Sequence, residues 1–167
     1  AEMRMIKDAE EIQAFRDGGR IAMAMGRAAE AKVAPGVPEY ELTLAAAEAG
    51  VRKAAELLAR DDPDSLHTPH YGALPILQSG QDMCLANRRV TGRVLEAGDP
   101  ILYCFCEMAT FKNYRTAFDR AVFVGSATDE QARIYEAAIA AQKAAMAAIR
   151  PGVPAEEPHL AAEEVYR

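Results

Sequence analysis

From residue 8 to about residue 34, apolar and small side chains recur at helical intervals, at Ile12, Phe15, Gly19, Met23 and Gly26. Asp8 followed by Glu11 has the form of a capping box, so this stretch predicts a closely packed first helix. Pro35-Gly36-Val37-Pro38 stops it, because proline cannot continue the hydrogen-bond ladder. A second helix is predicted from about 39 to 60, with Leu42, Ala45, Ala49 and Leu57 on its apolar side. Asp61-Asp62-Pro63-Asp64 is a polar break. Beyond it, 71–78 and 89–95 read as extended, punctuated by Gly72, Pro75, Gly80 and Gly92. Residues 101–106 and 117–124 are the clearest strands, expected to pair as a hairpin across a polar stretch that includes Lys112 and Asn113. Thr128, with Gln131 three positions on, starts a third helix carrying Ile134, Ala138, Ala145 and Ile149 and ending at Pro151. The fold class predicted is α+β.

The chain also repeats itself. Val33-Ala34-Pro35-Gly36-Val37-Pro38 recurs 116 positions later as Ile149-Arg150-Pro151-Gly152-Val153-Pro154, each time between two helices. At the same offset Leu44, Ala45, Ala46 and Glu48 match Leu160, Ala161, Ala162 and Glu164. This predicts a first unit over about 8–125 and a second that begins near 128 and lacks its strands. On that reading 1–167 is part of a two-unit domain.

Half of the residues are hydrophobic and 26% are charged, which excludes a low-hydropathy disordered chain. No stretch approaches the roughly 20 apolar residues of a spanning helix, so no membrane partner is expected. The net charge of -6 disfavours a nucleic-acid partner, since basic residues cluster only at Arg88, Arg89 and Arg93. Three cysteines without framework spacing, and no basic leader, predict a cytoplasmic protein. Cys104 and Cys106, two apart on one strand, are too constrained for an ordinary disulfide and are expected to line the core or a pocket.

The order of elements and several short segments resemble the pita-bread fold of the creatinase, prolidase and aminopeptidase P group. Ile6-Lys7-Asp8-Ala9-Glu10-Glu11 resembles the entry to that catalytic domain, and Gln78-Ser79-Gly80 the strand and turn before its catalytic histidine. Arg93-Val94-Leu95-Glu96-Ala97-Gly98-Asp99 resembles the approach to its first metal strand, and Pro151-Gly152-Val153 its second-half turn. Tyr114-Arg115-Thr116-Ala117-Phe118-Asp119-Arg120 is similar to the corresponding stretch of creatinase itself. The resemblance covers essentially the whole chain. It implies two αβ halves related by a pseudo-two-fold axis, of which this chain holds the first and the start of the second. It also implies an N-terminal domain before Ile6, a homodimer and a small-molecule substrate.

The same resemblance implies two hairpin aspartates that hold a pair of divalent ions. The second falls at Ala117, and the first at Cys106, or at Tyr103 if the hairpin carries an insertion. Neither pair holds two carboxylates, although Glu107 lies close enough to supply one through a register shift. No metal and no cofactor are therefore expected, as in creatinase, which splits a C–N bond by acid and base catalysis. Asp119 matches the hairpin carboxylate that contacts substrate there and is the expected catalytic residue; the alternative is a salt bridge or a solvated edge. Tyr114, Arg115, His70 and Tyr71 are the expected substrate-binding residues. The catalytic histidine falls most closely at Ala86, and alanine cannot transfer a proton, which leaves His67 and His70 as substitutes. His67-Thr68-Pro69-His70 has a two-ligand spacing, but no further ligands are in sight. Cys84 has no visible partner to activate it. Arg88 and Arg89 are either a fork for a substrate carboxylate or solvated turn residues. Three functions stay open: a creatinase-like, metal-independent hydrolase of a small amidine or amide, the isolated chain being inactive; a metal-dependent Xaa-Pro peptidase; and a non-catalytic binding protein.

Overall fold

In the computed structural model, which describes residues 5–69, 76–85, 87–105 and 109–167, the Asp8 carboxylate accepts the Glu11 amide and the Glu11 carboxylate accepts the Asp8 amide, each at 2.9 Å. This closed box starts α1, Ala9–Glu30. The helix stops before residue 34 because the Lys32 and Val33 amides turn back onto the Ala29 and Glu30 carbonyls. Its buried stripe is Ala14, Gly18, Ile21, Ala22, Met25, Gly26 and Ala29, together with Asp17, whereas Ile12 and Met23 are exposed. The helical period is as expected but its phase differs. Small residues take the inner face because α2, Glu39–Asp61, lies close against it: a Cβ on Gly50 would stand 2.9 Å from Met25 Cγ. The buried positions of α2 are Leu42, Ala46, Gly50, Ala54, Leu57 and Leu58, with Glu39 at its start.

Five strands follow: β1, Ile76–Ser79; β2, Pro100–Cys104; β3, Ala109–Phe111; β4, Tyr114–Thr116; and β5, Asp119–Phe123. β1, β2 and β5 form an antiparallel sheet with β2 in the centre, in which Tyr103 pairs with Leu77 and with Arg120. The two strands expected to pair do so, but β3 and β4 form a second ribbon between them. Its two-residue turn places Lys112 (φ 48°) and Asn113 (φ 67°) in the left-handed region, the backbone whose twist matches a tight hairpin. Residues 89–95 are not a continuous strand; they contribute isolated bridges, Arg89 with Ile76 and Val94 with Pro38. Residues 71–75 of the earlier extended stretch lie outside the described residues. Among the described residues Ile21, Met25, Leu42, Leu77, Leu95, Ile101, Tyr103, Phe105 and Phe111 are the largest fully buried apolar side chains, each contributing about 1.5–3 kcal/mol of transfer free energy. Cys104 is disulfide-bonded, although its two-residue spacing from Cys106, which lies outside the described residues, reads as too constrained for an ordinary disulfide.

Residues 127–167 form a separate compact unit. Thr128 and Gln131 close a second capping box at the start of α3, Asp129–Ala148, which packs on α4, Glu157–Val165. Ile134 and Ile149, predicted on the apolar side of α3, are exposed, and among the described residues of this helix only Ala141 is buried. The two Pro-Gly-Val-Pro turns share a backbone. Gly36 and Gly152 have φ of 86° and 88°, and the Val37 and Val153 amides turn back onto the Ala34 and Arg150 carbonyls. No helix among the described residues is long and apolar enough to cross a membrane.

Candidate active-site hairpin

The β2–β5 ladder continues beyond its strands through the Phe105 amide, which donates to the Phe118 carbonyl at 2.8 Å. Phe118 turns inward, with ring centroids 6.1 Å from Tyr103 and 6.3 Å from Phe105, and seats over Gly26 of α1, where a Cβ would come within 2.7 Å of it. The Arg120 guanidinium lies 4.2 Å above the same ring. Phe118 and Arg120 thus share one face of the strand. Alternation puts Ala117 and Asp119 on the other, and both are exposed. Asp119 stands opposite Cys104 in the register.

Tyr114 and Arg115 are adjacent on β4 and line different cavities. Tyr114 turns to α1: its hydroxyl donates to Glu11 Oε1 at 3.1 Å and its ring meets Phe15 edge to face at 5.3 Å. The Glu11 carboxylate, then burial, push the phenol above its ordinary value. It lines a cavity of about 450 Å³ with Asp8, Glu10, Asp17, Asp61 and Lys112. Arg115 lines a second cavity of about 260 Å³ with His67, Thr68, Thr110 and Asn113. Of the predicted site residues, the structure therefore brings Arg115 together with the substitute base His67, and not with Tyr114. His70 and Tyr71 lie outside the described residues, as does Ala86.

Two buried carboxylates escape the sequence reading. Asp17, fully buried on α1, accepts from Arg20 at 2.6 Å, Gln13 at 3.1 Å and Arg60 of α2 at 3.2 Å. Burial alone would raise its pKa; the hydrogen bonds, that from Arg60 foremost, outweigh it and hold the carboxyl below its ordinary range. Glu39, also fully buried, accepts from Ser79 Oγ (2.5 Å), Arg88 Nη2 (2.7 Å), Thr91 Oγ1 (2.8 Å) and the Thr91 amide (3.1 Å). Burial again opposes ionisation, and these bonds, led by Arg88, pull the pKa below normal. Ser79 is bonded in turn by Arg93 at 2.8 Å, and Arg93 forks onto Asp99 at 2.5 and 3.1 Å. Arg88 is thus an internal counter-ion, neither a substrate fork nor a solvated residue. A glutamate in the first turn of a helix reads as a solvated residue facing the dipole, and its partners lie 40 to 52 positions away.

The helix pair over an antiparallel sheet, with the hairpin at its edge, is the first half of the pita-bread architecture. It superimposes on prolidase from Pyrococcus furiosus with a TM-score of 0.83 at 26% identity, over 98% of this chain and 44% of that one. X-Pro aminopeptidase from Thermotoga maritima gives 0.81 at 22% identity, over 99% and 43%. The sequence pattern of metallopeptidase family M24 matches residues 13–167, and the chain belongs to that family. Among curated relatives it is 35% identical to the agropine synthesis cyclase of Rhizobium rhizogenes, over 99% of this chain and 42% of that protein. It is 32% identical to creatinase of Bacillus sp. (strain B-0618), over 98% and 38%. It is 27% identical to an Xaa-Pro dipeptidase of Pyrococcus furiosus, over 99% and 43%. The chain spans about two fifths of the length of these relatives.

A metallopeptidase needs hard, charged ligands converging on its ions. The hairpin residues described here do not fit that need. Ala117 presents a methyl group, and Tyr103 is fully buried with its hydroxyl donating to Glu30 at 2.9 Å. Cys106 and Glu107 lie outside the described residues. Among the described residues no three His, Cys, Asp or Glu side chains gather as a metal site would require.

Proposed function

We propose that this chain forms the hairpin half of a metal-independent site that hydrolyses a C–N bond in a small amidine or amide. The observation that carries the reading is Asp119, exposed on the same side of the hairpin as Ala117, so that a carboxylate stands beside the position where a metal ligand is replaced by a methyl group. There it binds and orients a guanidinium or ammonium group of the substrate by charge-assisted hydrogen bonds. Two relatives above 30% identity carry the names of a cyclase and a creatinase, whereas two Xaa-Pro dipeptidases stand at 27%. Alanine at 86 cannot move a proton, so proton transfer falls to another group, and we assign it to His67, which lines one cavity with Arg115.

The test is a substrate panel of creatine, cyclic amides and proline dipeptides on the protein that carries this chain, with and without chelator, together with metal analysis. Expected is turnover of an amidine or amide that survives chelation and falls by about a hundredfold in Asp119→Ala, the loss of a positioning contact. Two equivalents of tightly bound manganese, cobalt or zinc, with proline-dipeptide cleavage abolished by chelator, would establish the peptidase reading instead. Absence of turnover on the whole panel, with Asp119→Ala indistinguishable from the parent, would favour a binding protein.

A further inference from the structure

The face of α1 turned away from the core carries Arg16, Arg20, Met23 and Arg27, four, seven and eleven residues after the first, a single stripe on a 3.6-residue helix. Lys53 of α2 forms the facing wall, and Gly19 and Ala24 leave the floor low. A Cβ on Gly19 would meet no atom within 4 Å. The result is a shallow trough with a basic rim and a small apolar floor, about 16 Å long from Arg16 to Arg27 at 1.5 Å per residue. Met23 is 44% exposed at its centre. Arg20 is paired with Asp17 and Lys53 with Glu56, while Arg16 and Arg27 have no ion-pair partner among the described residues. In a chain of net charge -6, a concentrated positive stripe with two uncompensated guanidinium groups is a local reversal of the overall field.

We propose that this trough docks an acidic helical segment of a partner protein, whose carboxylates pair with Arg16 and Arg27 while an apolar side chain between them rests on Met23, Gly19 and Ala24. Charge complementarity sets the sign of the partner. The floor and the absence of aromatic residues among the lining set its class: a nucleic acid would look for stacking platforms and a longer run of free cations, whereas a methionine over small residues suits an aliphatic side chain. The site is independent of the hairpin chemistry, because none of its residues lies in the sheet.

The probe is a synthetic 18-residue helical peptide with glutamates at positions i, i+4 and i+11 around a leucine at i+7, labelled and followed by fluorescence anisotropy. Binding is expected to weaken about tenfold in Arg16→Glu/Arg27→Glu, the sum expected of two lost exposed pairs turned repulsive, and to weaken as salt is raised. Arg52→Glu, on an exposed arginine of α2 outside the trough, should change nothing, and Arg16→Gln/Arg27→Gln should fall between. No binding of the peptide at low salt would overturn the proposal, and so would equal loss in Arg52→Glu. Tighter binding of a single-stranded oligonucleotide of similar length would overturn it in favour of nucleic acid.

Discussion

Replacing Glu39 by alanine isolates how the loop after β1 is tied to α2. The carboxylate is fully buried and accepts four hydrogen bonds, from Ser79, Arg88 and twice from Thr91. Its removal leaves the Arg88 head group, 14% exposed and with Nε already lacking a partner, without its principal counter-ion. Breaking one side of such a buried pair costs about 3–5 kcal/mol. With a urea m-value of about 2 kcal/mol/M the unfolding midpoint should fall by about 2 M. Tyrosine fluorescence is a suitable probe, since the chain has no tryptophan and Tyr103 is fully buried. Glu39→Gln keeps an acceptor and should lose less, about 1.5–3 kcal/mol. Glu48→Ala, on the exposed pair with Arg52, should lose under about 1 kcal/mol. The pH dependence follows in sign. Because the folded pKa lies below the ordinary 4.5, the contribution is fully present above that value and is lost as pH falls through the depressed one. In Glu39→Gln that acid-side loss should shrink. An alanine variant within about 1 kcal/mol of the parent would refute the assignment of this carboxylate as the tie.

Three further outcomes follow from the same packing. Asp17→Asn keeps the shape but removes the charge facing Arg20 and Arg60, and should cost about 1–3 kcal/mol at neutral pH, with the difference from the parent narrowing below the ordinary 3.8, as measured by urea unfolding. Gly26→Ala forces a Cβ into the Phe118 ring and should destabilise by about 1–3 kcal/mol, while Gly19→Ala, with open space around it, should gain about 0.5–1 kcal/mol from helix propensity; equal effects in thermal melts would contradict the close approach. Asn113→Gly should be neutral or slightly stabilising and Asn113→Val should cost about 1–2 kcal/mol, because position 113 holds a left-handed backbone in the β3–β4 turn.

Local signals carried over well from sequence to structure. Both capping boxes are closed in the structure because each needs only residues three apart. The phase of α1 was harder to read, since the inner face is made of Ala14, Gly18 and Ala22, which carry little hydropathy, while Ile12 and Met23 advertise a face that stays in solvent. The β3–β4 ribbon hid behind a Lys-Asn turn without the glycine that marks most such turns. At the site, strand alternation in the sequence sets Asp119 on the side of Ala117 and opposite Arg120, and the structure has Arg120 over the inward Phe118 ring on that opposite face. That same rule separates Tyr114 from Arg115, which the family resemblance alone had grouped together. The Glu39 network was not legible at all, because contacts 40 and more positions apart leave no periodic trace.

The contacts that hold the hairpin in place bear on the whole family and not on one residue. In a site built on a metal pair, ligands on the hairpin are fixed partly by the ions they share. Here the hairpin is fixed from behind by α1. Tyr103 donates to Glu30, Tyr114 to Glu11, Thr116 stands against Gly18, where a Cβ would come within 3.1 Å of its methyl group, and Phe118 seats on Gly26. Tyr103 apart, which is the alternative position of the first aspartate, these ties use no position where a metal carboxylate is expected. A hairpin so anchored can exchange a ligand at position 117 for a methyl group without losing its geometry, and Asp119 keeps its outward bearing because Phe118 and Arg120 fix the other face of the strand. The frame is therefore separable from the chemistry it carries, and relatives whose names denote a peptidase, a creatinase and a cyclase can share it.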